Sequence, residues 1–295
     1  MEEAPRWTIE DLIARYTLEP ELRDLYVEGP SDKLLFEWFL KQFECESVAV
    51  YEIDCVDVPD TAVEALGLQH NNRDRVVALS LELERLLPGE DLRVLCIADS
   101  DFAFLLGGWR NSRYLLYTDY TSVDLYFFCE HSLEKCLKVG IGRLLLDTST
   151  WLTNLEGVLQ KVFCVRAANE KLGWGIHWPT QFTRCCGIEE HLVKFDCTEF
   201  VRRYLSQGDR LRDMEAFNEV CQQLKSIEVK DPRQRIHGDD YLELVGWHIS
   251  RLVGRGGHKY RDTGVVRAMI RSAIDVNSLA KEELFKKLLK YINVE

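Results

Sequence analysis

The sequence is short of several things, and each shortage excludes a class of protein. No apolar run approaches the ~20 residues that a membrane-spanning helix needs, which excludes an integral helical membrane protein. The ten cysteines include no CxxC pair, which argues against a zinc ribbon or a thioredoxin-type site. There is no Walker-type GxxxxGK loop, so any dependence on ATP would have to come from a partner. No GxSxG elbow occurs, and no dinucleotide fingerprint follows the first strand. Pro-rich and Ser-rich tracts are absent, so nothing in the composition argues for disorder. Basic charge is also scarce: 37 Lys and Arg face 49 Asp and Glu, a formal net charge of −12. Bulk attraction to a polyanion is thereby removed, and a nucleic-acid site would need a local basic patch or a metal. The acidic opening MEEAPRWTIEDL lacks the basic-then-apolar order of a secretory leader. The expectation is a cytoplasmic protein whose cysteines serve as small apolar residues in a reducing compartment.

What is present is a chain of 295 residues, 46% hydrophobic and 29% charged, with the balance of a globular protein. Thr8 and Asp11 have the spacing of a capping box at a helix start. Leu25-Tyr26-Val27 reads as a strand that stops at Glu28-Gly29-Pro30, after which Ser31 can cap a helix carrying Leu35, Trp38, Phe39 and Phe43. Val48 to Ile53 reads as a second strand, and a helix from about Arg73 runs to a Pro88-Gly89 stop. Val94 to Ala98 is apolar throughout, as a central parallel strand covered on both faces should be. Tyr114 to Tyr117 is a fourth strand, with a helix expected over 122–137. This order predicts a doubly wound, mainly parallel α/β sheet. Beyond Trp151 the pattern is helical, at roughly 151–171, 196–206, 210–225, 239–253, 263–274 and 278–292. We therefore expect a metal-binding α/β domain over 1–150, with its N-terminal helix, and a mainly helical domain over 151–295 for partner or substrate contacts.

In an open parallel sheet the functional crevice lies beyond the carboxyl ends of the strands. Three expected strands end in acids here: Glu28 after the first, Asp99 and Asp101 after the third, and Asp119 after the fourth. Asp32 and Asp124 follow one short step later, at helix openings, where capping fits them equally well. Clustered carboxylates repel one another unless a cation sits among them, and hard oxygen donors select Mg²⁺ or Mn²⁺. The expected metal ligands are thus Glu28, Asp32, Asp99, Asp101, Asp119 and Asp124, with Glu28, Asp99 and Asp101 as the catalytic set. Glu28 could hold the metal or orient a water, and the sequence does not separate these roles. A second feature is the acid-free stretch holding Arg251, Arg255, Lys259 and Arg261 around the glycines 254, 256 and 257. It could approach a nucleic-acid backbone, or be a solvated helix end. His237 precedes Asp239 and Asp240 at a helix start, where a capping role is the default.

These residues resemble a known family. Leu25-Tyr26-Val27-Glu28-Gly29-Pro30-Ser31-Asp32 is similar to the glutamate motif of the Toprim fold, and Ile97-Ala98-Asp99-Ser100-Asp101-Phe102 is similar to its Asp-x-Asp motif. The run Leu115 to Tyr120 followed by Asp124, and more weakly His237-Gly238-Asp239-Asp240, resembles a narrower group of Toprim-like proteins encoded beside ABC-type ATPases. That group includes effectors of the PARIS anti-phage defence system. Asp124 departs from the pattern by standing where a glutamate is expected. The resemblance implies a Toprim-like fold over about residues 20–138 and divalent metal held by these acids. It further implies a toxic nuclease restrained by an ABC-type ATPase, a tRNA substrate, and room for a homodimer in the active state. Two other readings stay open: an OLD-like DNA nuclease in defence or repair, and a Toprim-shaped adaptor without catalysis.

Overall fold

A computed structural model describes residues 6–45, 47–87, 92–142 and 147–292, and the chain is α/β with a mainly parallel sheet. It packs into two compact units. One comprises Met1–Ser100, Gly108–Asp119 and Val276–Glu295, and the other Asp101–Gly107 and Tyr120–Asp275. This differs from the division at residue 150 that composition suggests, because the last two helices rejoin the sheet-bearing unit through contacts remote in sequence.

In the first unit, β1 (Trp7–Thr8) leads into α1 (Ile9–Leu18), capped by the Thr8–Asp11 box: Thr8 Oγ1 accepts from Asp11 N at 3.1 Å while Thr8 N donates to Asp11 Oδ2 at 2.9 Å. Next come β2 (Arg23–Val27), α2 (Pro30–Gln42), β3 (Val48–Glu52), β4 (Val56–Asp57), α3 (Asp60–Ala65) and α4 (Asn72–Leu86). Helix α2 starts earlier than Ser31 allows. Gly29 is its N-cap and Pro30, with φ preset for the first helical position and no N–H to lose, is its first residue. Asn71 caps α4 by accepting from Asp74 N at 2.8 Å; the Pro88-Gly89 stop lies outside the described residues. Strands β5 (Val94–Ala98) and β6 (Leu115–Tyr117) complete a four-stranded parallel sheet in the order β3-β2-β5-β6.

That order contains a reversal. From β2 the chain moves outward to β3, then returns across β2 to β5, so the switch point falls between β2 and β5. Tyr26, Val94, Cys96 and Ala98 face a core built with Leu12 and Tyr16 of α1 and Val76, Leu79 and Leu83 of α4. Leu25, Val27, Leu95 and Ile97, which alternate with them, are buried as well, as expected for a sheet covered on both faces. The parallel pairing of β1 with β4 and the short helix α3 are not foreseen by the hydrophobic pattern, since two-residue strands carry no periodicity. The closing helices are Val276–Leu279 and Glu283–Tyr291; the Phe285 ring lies 5.6 Å from Phe36 and 4.7 Å from Phe39.

In the second unit the helix expected over 122–137 is broken. A 3₁₀ turn at Val123–Phe127 is followed by α6 (Glu130–Lys135), which comes after α5 (Ala103–Leu106) in the chain, and by a π-helical segment at Cys136–Ile141. Every residue from Val123 to Phe128 is buried, so the segment has no polar face, and a tight turn followed by a new helix start buries the whole run. The frame is α7 (Thr148–Leu172), started by Asp147 and ended by Gly173 in the left-handed region. After it come the hairpin β7 (Cys186–Glu189) and β8 (Leu192–Phe195), then α8 (Cys197–Gln207), α9 (Met214–Ser226), α10 (Gly238–Val253) and α11 (Thr263–Arg271). The hairpin falls between the expected helices 151–171 and 196–206. Helices α7 and α10 are joined by Trp151 Nε1 donating to His248 Nδ1 at 2.7 Å. All ten cysteines are free thiols, and burial pushes Cys55 and Cys136 up to about 11 and Cys186 and Cys221 up to about 12, which leaves them unreactive. Among the described residues no helix is long and apolar enough to cross a membrane.

Two outcomes test this packing. A side chain at Gly246, mid-way along α10, would meet the Tyr260 carbonyl oxygen and Val266. Gly246→Ala should therefore destabilise the protein by about 1–3 kcal/mol, although alanine gains about 1 kcal/mol of helix propensity; a urea titration showing stabilisation would refute the contact. The second outcome concerns His248, which burial pushes down to about 4 from an ordinary 6.5. Between those values the unfolded chain binds a proton that the folded chain refuses, so stability falls as pH drops through this window, by roughly 3 kcal/mol at most. His248→Gln removes that contribution, and its urea midpoint should change less between about pH 7 and about pH 4.5 than that of the wild type. Equal changes would place the buried proton elsewhere.

Candidate active site

The switch point between β2 and β5 is where two of the sequence-designated acids meet. The last registered pair of these strands is Tyr26 with Cys96. Past it the main-chain ladder stops, and Glu28 Oε1 accepts from Asp99 N at 2.6 Å. The first residues of α4 hold the same two strand ends: Asn72 Nδ2 donates to the Glu28 carbonyl at 2.9 Å, and Arg73 Nε to the Asp99 carbonyl at 2.8 Å. Arg73 also pairs with Asp74 at 2.6 Å and lies 5.8 Å over the Tyr117 ring. Next to Asp99, Ser100 N donates to Thr118 Oγ1 at 3.0 Å and Ser100 Oγ to the Thr118 carbonyl at 2.5 Å, fixing the end of β5 to the end of β6. Asp32 sits in the first turn of α2, where the helix dipole favours a carboxylate.

The remaining acids have other surroundings. Asp119 Oδ2 accepts from Leu284 N at 3.0 Å, so it serves the N-terminus of helix Glu283–Tyr291, whose own N-cap residue Glu282 makes no side-chain cap. Asp101 belongs to the second unit, where it adopts φ 43°, a left-handed conformation that aspartate tolerates better than most residues, and donates its N–H to the Thr121 carbonyl at 2.8 Å. Asp124, in the same unit, lies between two guanidinium groups: Arg267 Nε at 3.0 Å and Arg271 Nη2 at 2.9 Å. The arginines are remote in sequence, so the opening position of Asp124 gives no hint of them. His237 caps α10 by accepting from Asp239 N at its Nδ1, 3.3 Å away, which puts the proton of the neutral ring on Nε2. Burial and Arg166 push this imidazole down, opposed by Asp240, Asp239 and Asp101.

The basic stretch is at the surface. Arg251 ends α10, Arg255 stands in the following loop, and Lys259 and Arg261 belong to a 3₁₀ turn at Gly257–Arg261. The Lys259 ammonium lies 5.0 Å from the Tyr260 ring centre. Asn72 and Arg73 are missed by motif reading; the available signal is that a helix N-terminus beginning after a strand end tends to point into the crevice.

Among the described residues no group of three or more His, Cys, Asp or Glu is gathered for a metal ion. The Glu28–Asp99 pair does fit the donor chemistry of an open site, since Mg²⁺ commonly takes one or two carboxylates and fills its octahedron with water and phosphate oxygens. It does not make a closed cage. No protein-family model matches the chain, and comparison with curated proteins returns no match.

The surroundings of Asp124 generate a prediction. Asp124→Asn leaves Arg267 and Arg271 facing a neutral group in a mostly buried position, and should cost about 2 kcal/mol of stability. Thermal melts at matched salt would show the loss; an unchanged melt would mean that the charge is not structural.

Proposed function

We propose that the chain is a Mg²⁺- or Mn²⁺-dependent nuclease of Toprim-like fold, the toxic effector of an anti-phage defence complex similar to PARIS and its effector AriB. The observation that carries this reading is the Glu28–Asp99 junction at the switch point of a parallel sheet, at the two positions that the Toprim resemblance singles out. When bound, the metal would supply Lewis-acid stabilisation of a phosphate and acidify a water. Glu28 and Asp99 would hold it, with Asp32 as a further oxygen donor. Glu28 has one oxygen committed to the Asp99 amide, which fixes the direction in which the carboxylate faces its substrate. Asn72 and Arg73 hold the two strand ends by their carbonyls and so keep the pair at a constant separation.

The partner in this reading is an ABC-type ATPase, AriA-like, that restrains the nuclease until a phage trigger arrives; the chain itself carries no phosphate-binding loop of that kind. The substrate is an RNA, a tRNA whose anticodon loop offers splayed bases and a few phosphates, contacted by Arg255 and Lys259. A chain at −12 has little basic charge to spread along a duplex. The non-catalytic adaptor draws support from Asp119 and Asp124, whose carboxylates serve a helix end and two arginines.

One experiment separates the readings. Purified protein is incubated with tRNA and with duplex DNA, with and without Mg²⁺ or Mn²⁺, beside Glu28→Ala and Asp99→Ala. We expect metal-dependent cleavage of tRNA by the wild type and at least a ~100-fold loss in each variant, with the Asp99→Ala melt unchanged or raised by relief of carboxylate repulsion and the Glu28→Ala melt lowered by loss of its bond to Asp99 N. Full cleavage by Glu28→Ala would remove the proposed site. Cleavage of DNA alone would favour an OLD-like enzyme, and no metal binding at all would favour the adaptor.

A further inference from the structure

The second unit contains a cavity of about 620 Å³, within the usual size range of small-ligand sites. One wall is a face of α10, on which Asp239, Glu243, Trp247 and Arg251 recur every four residues. Arg166 of α7, the segment from Trp178 to Arg184, and Arg261 close it.

The charges of this cavity do not cancel. Asp240 is neutralised by Arg166, which donates from Nε at 2.6 Å and Nη2 at 2.8 Å, and Asp240 also accepts from Trp178 Nε1 at 3.1 Å. Asp239 is paired with Arg267 at 3.1 Å. Glu243 accepts from Thr183 N and Oγ1 at 3.2 and 2.9 Å, and burial pushes its carboxyl up to about 7, so near neutral pH it carries only part of a charge. Arg184, Arg251 and Arg261 have no acidic partner among the described residues. Three guanidinium groups thus face one cavity, in a chain of net charge −12, beside the apolar surface of Trp178, Pro179 and Trp247. The volume exceeds what a lone phosphate would fill, and the combination of fork-shaped donors with indole rings suits an anion attached to a flat heterocycle.

We propose that this cavity binds a nucleoside phosphate, with Arg184, Arg251 and Arg261 holding the phosphate groups and the Trp178–Pro179–Trp247 wall taking the nucleoside. The ligand is either a free nucleotide or one nucleotide of a bound strand. The proposed site uses neither Glu28 nor Asp99, and its test needs no cleavage.

The full-length chain, in EDTA at constant ionic strength, is titrated calorimetrically with ATP, AMP, inorganic phosphate and a short single-stranded RNA. We expect saturable binding of ATP or AMP, or of the RNA, that is weakened about tenfold or more in Arg184→Gln/Arg261→Gln. Both arginines are exposed, so their replacement leaves the fold intact. A control of equal charge change, Lys41→Gln/Lys171→Gln, should stay within about twofold of the wild type. Binding of ATP or AMP alone assigns a free nucleotide, and binding of the RNA with displacement of ATP assigns a strand. The proposal is overturned if neither the nucleotides nor the RNA bind, if inorganic phosphate binds as tightly as ATP, or if the control loses as much affinity as the arginine variant.

Discussion

The hydrogen bond from Asp99 N to Glu28 Oε1 is the constraint on which the first unit turns. Parallel strands either side of a switch point separate, because the connections leaving them go to opposite sides of the sheet. The registered pairing of β2 with β5 ends at Tyr26 with Cys96, short of Glu28 and Asp99. The Glu28 side chain closes this gap from the acceptor side, and Asn72 and Arg73 close it from the donor side by taking the two freed carbonyls. A hydrogen bond to a carboxylate contributes about 1.5–3 kcal/mol, so the arrangement keeps the two strand ends from separating further beyond the ladder. Structure and chemistry are therefore coupled at one residue: the carboxylate proposed to face a substrate also ties the two strand ends together.

The six acids drawn from the sequence do not share one fate. Glu28, Asp99 and Asp32 stay at the strand-end crevice, Asp119 serves a helix N-terminus in the same unit, and Asp101 and Asp124 belong to the other unit. Each assignment follows from what the carboxylate finds within reach. An exposed helix end offers unpaired N–H groups to Asp119, and two guanidinium groups offer Asp124 more than water can.

How much of this was legible depended on the range over which the signal acts. The Thr8–Asp11 box, the all-apolar β5 and the mainly parallel α/β sheet rest on neighbours in sequence, and they read correctly. Pro30 displaced Ser31 from the cap of α2, a local competition that the sequence also contains. The broken segment after Ser122 was not legible, because burial of six consecutive residues is imposed by surrounding elements and leaves no periodic trace. Nor was the return of helix Glu283–Tyr291 to the first unit, which rests on Phe285 against Phe36 and Phe39, over 240 positions apart by their numbering. At the site, the motif residues were visible, while Asn72 and Arg73, which act through backbone carbonyls, were not, since such contacts demand no particular motif.

The way the chain handles its acidity shows a division of labour between its two cations. The buried acids are matched with arginine: Asp24 with Arg15, Asp74 with Arg73, Asp240 with Arg166, and Asp124 with Arg267 and Arg271. The lysine pairs, such as Lys33–Glu37, Lys138–Glu134 and Lys194–Glu189, lie at the surface, where such contacts contribute little. A planar guanidinium is less strongly hydrated than an ammonium and matches a carboxylate fork, so it tolerates burial better. Arginine is thus the cation that meets the buried acids of this protein. Arg184, Arg251 and Arg261, which have no acidic partner among the described residues, line one cavity together. With net charge −12, long-range fields repel anions from most of the surface, and a cluster of this kind concentrates attraction where the walls exclude part of the solvent. The same charge that keeps polyanions off the protein at large thereby sharpens the contrast at this cavity.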